Sequence, residues 1–182
     1  MKPFPSLAAL AMACICLTGA ERPRVNRATL AAVEKNFDRR LEKDVVESPF
    51  QLLGMTRGVY LEGYGAVFTA EVNLASGPTV SPFRPSLSKE EIDRLRQRKL
   101  ERIPVLKRAM REMLVASSGS LDTVPAEERL VIGVSLFYFS WENASALPSQ
   151  IVMQAPRRTL VEFQTGRRDL KTLESAVAER EF

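Results

Sequence analysis

Residues 129–141, RLVIGVSLFYFSW, constrain the fold more than any other stretch of this chain. Leu130, Ile132, Val134, Leu136 and Tyr138 alternate with Val131, Phe137 and Phe139, so both faces of an extended segment are apolar. Such a strand belongs at the centre of a sheet and is expected to be covered on both sides. After the turn-like ENASALPS, residues 150–155 (QIVMQA) supply a short partner strand that Pro156 ends.

A second hairpin is written into residues 57–74. Val59 to Glu62 reads as extended. From Ala66 to Leu74 the pattern alternates, with Phe68, Ala70, Val72 and Leu74 on one side and Val67, Thr69, Glu71 and Asn73 on the other. Gly63-Tyr64-Gly65 between them supplies turn freedom. As a phosphate-binding loop the stretch fails, because a dinucleotide motif needs glycine where Phe68 stands and a helix where a strand follows.

Helical spacing marks three further segments. Over 25–46, Leu30, Val33, Phe37, Leu41 and Val45 recur every three or four residues, and Ser48-Pro49 is the expected stop. Ser88 and Glu91 have capping-box spacing, opening the longest helix, with Ile92, Leu95, Ile103, Leu106, Met110 and Met113 along a mostly apolar stripe that is interrupted near Lys99, where Leu100 takes over. Pro104 predicts a kink or a break there, and Gly119 an end. Residues 157–164 fit a helical turn or a strand equally, and Leu170, Leu173 and Val177 define a last short helix. Residues 76–87, with Pro78, Pro82 and Pro85, read as a surface connection.

The order is therefore α–ββ–α–ββ–α, an α+β domain with an antiparallel or mixed sheet of about four strands packed with helices. It is similar, in element order and not in any sequence motif, to profilin-like and roadblock-like domains. That likeness implies a binding or scaffold module.

The first twenty residues stand apart. One lysine, an apolar run from Leu7 to Leu17 and small residues at 18–20 have the layout of a cleaved export signal, and the run is short for a membrane span. A retained anchor or a lipid on Cys14 are the competing readings. Residues 21–182 then form a single domain of 162 residues, without cysteine or histidine, with a net charge of 25 − 22 = +3. Localisation is expected to be periplasmic or extracellular, with no transmembrane segment after cleavage.

That inventory excludes Ser–His–Asp and Cys–His catalysis, thiol redox chemistry and zinc sites built on Cys or His. No cofactor or metal site is indicated, and no nucleic-acid motif appears. One hydrolytic chemistry survives: two carboxylates cleaving a glycosidic bond, with Glu62 and Glu142 as the pair.

Two groups of residues are candidates for binding. Tyr60, Glu62 and Tyr64 flank the first turn, while Tyr138, Trp141, Glu142 and Asn143 flank the second. Aromatic faces beside carboxylates suit sugars, peptides or cations. If the strands entering the two turns run parallel, both groups share one end of the sheet. The long helix carries nine basic residues against five acidic ones over 88–118, a local +4, with Arg94, Arg98 and Arg102 foremost. An anionic component of the envelope, or another exported protein, is the expected partner. Asn143-Ala144-Ser145 matches a glycosylation acceptor, and Pro82-Phe83-Arg84-Pro85 a PxxP motif. The reading is a non-enzymatic binding module of the envelope or periplasm, with a carboxylate hydrolase or a small-ligand carrier as alternatives.

Overall fold

The computed structural model describes residues 25–44, 49–78 and 86–182. The expected export signal and its cleavage site, Val45, Ser48 and the PxxP motif lie outside the described residues.

Asn26 caps helix α1 (Arg27–Arg39) by accepting from the Ala28 amide at 2.9 Å, and a π-helical turn (Arg40–Asp44) extends it. Leu30, Val33, Phe37 and Leu41 are buried along its inner stripe. Strands β1 (Gln51–Leu52), β2 (Arg57–Leu61) and β3 (Gly65–Asn73) follow, and then α2 (Lys89–Ser120), closed at its start by the Ser88–Glu91 capping box. Strands β4 (Arg129–Leu136) and β5 (Gln150–Pro156), helices α3 (Arg157–Gln164) and α4 (Leu170–Ala176), and strand β6 (Ala178–Glu181) complete the order.

The fold is α+β with a mixed sheet of about six strands, ordered β1-β3-β4-β5-β6, with β2 beside β1 on the outer edge of β3. Only β3 and β4 run parallel, joined by the α2 crossover; the other pairs are antiparallel. β4 is central, as its composition requires. Three expectations need correction. The segment 129–141 is not one strand: it ends at Leu136, and Phe137 and Phe139 leave the sheet for an aromatic cluster. Of the second apolar face only Val131 therefore belongs to β4, and that face is not covered by a helix. Of the kink or break expected at Pro104, the break does not occur: α2 continues through it, with the proline on the exposed side of the helix. Finally, Val177 closes α4 and leads into a strand that carries no apolar alternation.

All four helices lie over one face of the sheet. α1 packs on β2 and α2, α2 on β4 and β5, α3 on α2 and β5, and α4 on α3. Phe68, Val72, Leu130, Ile132, Val134, Ile151 and Met153 meet Phe37, Leu106, Met110, Leu160 and Leu173 in one contiguous core. α1 also closes the outer edge of β2. Glu34 accepts from the Gly58 amide at 2.7 Å, Arg27 donates to the Gly58 carbonyl at 3.2 Å, and Asp38 accepts from the Thr56 amide at 2.9 Å. An edge that would otherwise offer unpaired donors is thereby blocked. Burial pushes the Glu34 carboxyl up, but the Arg27 guanidinium and the Gly58 amide outweigh it and hold the pKa below the ordinary value.

Candidate functional site

The two predicted aromatic groups do not meet. β2 runs antiparallel to β3 and β3 runs parallel to β4, so the strands entering the two turns are antiparallel. The turn at 62–64 lies beside Arg129, where β4 begins; the connection at 137–149 leaves where β4 ends. At about 3.3 Å per residue, the eight paired positions of β3 and β4 separate the two ends by roughly 25 Å. Glu62 and Glu142 thus stand far beyond the roughly 5–10 Å a glycosidase pair needs.

At the first end, two glycines shape the turn. Gly63 and Gly65 both hold positive φ, at 77° and 135°. Behind them, Glu128 accepts from the Tyr60 hydroxyl at 3.2 Å and from the Gly63 amide at 3.1 Å, tying the turn to the start of β4. Tyr64 lies across the helix-free face, its hydroxyl 3.3 Å from Gln154 on β5. Val131 lies in register between Val67 and Gln154 and is 6% exposed on this face without helices. These residues anchor the hairpin. Glu62 is exposed at the turn.

At the second end, the connection from β4 to β5 is clamped onto α2. Lys99 is fully buried, and its Nζ lies 2.6 Å from Oε2 of Glu142, whose side chain is only 4% exposed. Lys99 also donates to the Phe137 carbonyl at 3.2 Å and sits 4.8 Å above the Tyr138 ring. The other oxygen of Glu142 accepts from the Phe139 amide at 3.1 Å. Arg96 donates to the Ser145 carbonyl at 2.8 Å, and the Tyr138 hydroxyl to the Pro148 carbonyl at 2.8 Å. Phe139 and Trp141 stack at 5.3 Å and 7°, and the Trp141 ring leans on Gly77. Desolvation lowers the Lys99 pKa against the pull of Glu142. A lysine in that state is suited to chemistry, but one with no exposed surface meets no substrate, so the pair is a fastening. Asn143 is exposed and accepts from the Ser145 amide at 3.1 Å in an Asx turn.

Tyr138 gives this end an alkaline signature. Burial, reinforced by the Glu142 charge, pushes its phenol up to about 12 from 10.0. The folded chain keeps a proton that the unfolded chain releases, so stability falls as pH rises from 10.0 towards about 12. Urea midpoints across that interval are expected to fall more steeply for the wild type than for Tyr138→Phe. Equal slopes would show that the phenol is not held.

The basic excess of α2 is largely consumed within the molecule. Lys99 meets Glu142, and Lys107 meets Glu179, at 2.7 Å, and Glu181. Arg111 reaches Glu179 at 3.5 Å, and Arg96 serves the 137–149 connection. Arg102 lays its guanidinium 4.4 Å over the Phe50 ring. Arg94 and Arg98 remain exposed, beside a groove of about 650 Å³ that Gly77, Pro78 and Gln97 also line. A smaller cleft of about 220 Å³ opens between α1 and α2, lined by Val33, Phe37, Arg39, Arg40 and Ser117. Among the described residues, no group of three or more Asp or Glu is placed to hold a metal ion, and no helix is long and apolar enough to cross a membrane.

The helix-free face of the sheet is a surface that no local pattern in the sequence marks. Register places Arg57, Val59 and Leu61 of β2 there, with Val67, Thr69 and Glu71 of β3 and Val131, Gly133 and Ser135 of β4. Val152 and Gln154 of β5 and Arg180 of β6 continue it. Arg57, Thr69, Gly133, Val152 and Arg180 form one row across β2, β3, β4, β5 and β6. Arg57, Arg129 and Arg180 are exposed, and among the described residues none of the three forms an ion pair. Val59 and Leu61 are 51% and 46% exposed. No protein-family model, curated protein or solved structure matches this chain.

Proposed function

We propose that the protein is an exported, non-enzymatic binding module that engages an anionic component of the cell envelope. The observation that carries this reading is the helix-free sheet face, with apolar side chains framed by Arg57, Arg129 and Arg180 against the single strand carboxylate Glu71. Such a face supports binding by contact area and charge together, without requiring a pocket. The N-terminal apolar run supports an exported location. A carboxylate-pair hydrolase built on Glu62 and Glu142 has the opposed turns against it.

Co-sedimentation of the purified protein with washed envelope from its own cells tests the reading. Binding is expected at low salt and should fade as ionic strength shortens the Debye length from about 30 Å at 0.01 M to about 10 Å at 0.1 M. No binding at any salt would overturn it.

A further inference from the structure

We infer that the helix-free sheet face docks on the surface of an anionic lipid bilayer. The inference rests on the envelope-binding reading and names both its surface and its partner.

Among the described residues no helix packs on this face and the Tyr64 side chain crosses part of it, yet Val59 and Leu61 stand about half exposed, Val59 beside Val67. Gly133 lies at the middle of the central row; a Cβ built there would find only methyl groups of Thr69 and Val152, each at 3.9 Å. The centre is therefore low, and longer side chains stand around it.

Charge then selects among possible occupants. Three arginines against Glu71 leave the strand positions of this face at +2. A second copy applied through the same face would set like charges against each other, which opposes a symmetric dimer. An anionic partner is favoured instead. Arg57 and Arg180 are separated by four interstrand spacings, roughly 19 Å at about 4.8 Å each, with Arg129 nearer the first turn. That spread exceeds one small anion and fits a field of phosphate headgroups. The apolar side chains decide between such a field and a soluble polyanion. Valine and leucine between arginines gain from entering the headgroup boundary, where buried apolar area and electrostatic attraction add. A fully hydrated polymer offers them nothing. Tyr64, exposed at 43% on the same side, suits the interfacial region in the same way.

The test uses the protein as its own cells process it, sedimented with phosphatidylcholine vesicles with or without added phosphatidylglycerol. The protein is expected to bind only the anionic vesicles. Arg57→Glu with Arg180→Glu should weaken binding about thirtyfold or more, while Arg94→Glu with Arg98→Glu should change it by less than about threefold. Val59→Ser with Leu61→Ser should weaken it several-fold without altering net charge. Circular dichroism and urea midpoints confirm that each variant folds; if a double variant does not, the single Arg180→Glu at the sheet edge replaces it. Equal binding to both vesicle types, control by Arg94 and Arg98, or a dimer that forms through this face without lipid would each overturn the inference. If vesicles fail while washed envelope still carries the protein down at low salt, the lipid is wrong and the envelope reading stands. If both fail, both fall.

Discussion

Lys99→Ala is expected to destabilise the protein by about 3–5 kcal/mol, the usual cost of removing one member of a buried ion pair. The lysine has no exposed surface, and its loss strands the Glu142 carboxylate at 4% exposure and the Phe137 carbonyl without its donor. It also removes the cation over Tyr138. The damage should be confined to one place: the 137–149 connection should lose amide-exchange protection before the β3–β4 centre does. The double variant Lys99→Met with Glu142→Gln should recover much of the loss. A methionine fills most of the space, and a glutamine can still accept from the Phe139 amide. Denaturant unfolding of Lys99→Met, Glu142→Gln and the double variant therefore closes a cycle, with an expected coupling of about 2 kcal/mol or more. A near-zero coupling would show that the two residues do not act as a pair.

Gly65→Ala should be comparably severe for a different reason. A Cβ at Gly65 would lie 1.8 Å from the Arg129 carbonyl oxygen, and the residue holds φ at 135°. The obstacle is backbone of the adjacent strand, so no side-chain rotation relieves it. The register pairing Gly65 with Arg129 opens the parallel β3–β4 ladder, and the Arg129 amide donates to the Tyr64 carbonyl at 2.8 Å there. A loss of at least about 3 kcal/mol is expected, with the strained φ and the displaced strand both contributing. Gly63→Asn is the matched control. Its φ is 77°, nothing lies within 4 Å of an added Cβ, and asparagine tolerates that region, so a change below about 1 kcal/mol is expected. If both variants behaved alike, the close approach at Gly65 would not matter.

Those two glycines also show what the sequence could and could not disclose. Their spacing between two alternating apolar runs identified a hairpin turn, because turn chemistry is local. The capping box at Ser88, the buried stripe of α1 and the central place of β4 were legible for the same reason. Element direction was not. Whether the two aromatic turns share an end depends on a long crossover, and no residue near either turn encodes it. Strand β6 was hidden too. Its Ala-Glu-Arg-Glu has no apolar alternation, and it is a strand because β5 offers a free edge and Lys107 and Arg111 receive Glu179 and Glu181. With β6 unseen, Arg180 had no place on the sheet. The basic helix misled in the opposite sense: the counted +4 was real, but Lys99, Arg102, Lys107 and Arg111 turn inward or pair. Charge counted along a sequence does not distinguish a solvated face from one already answered across the fold.

The proposed envelope binding runs through the sheet face and not through the long helix. Low-salt co-sedimentation with washed envelope, comparing Arg57→Glu with Arg180→Glu against Arg94→Glu with Arg98→Glu, tests it most directly. Each pair changes the net charge by the same amount, so a difference between them reports position. The sheet pair is expected to abolish binding and the helix pair to leave it nearly intact. Loss of binding in the helix pair alone would contradict that placement.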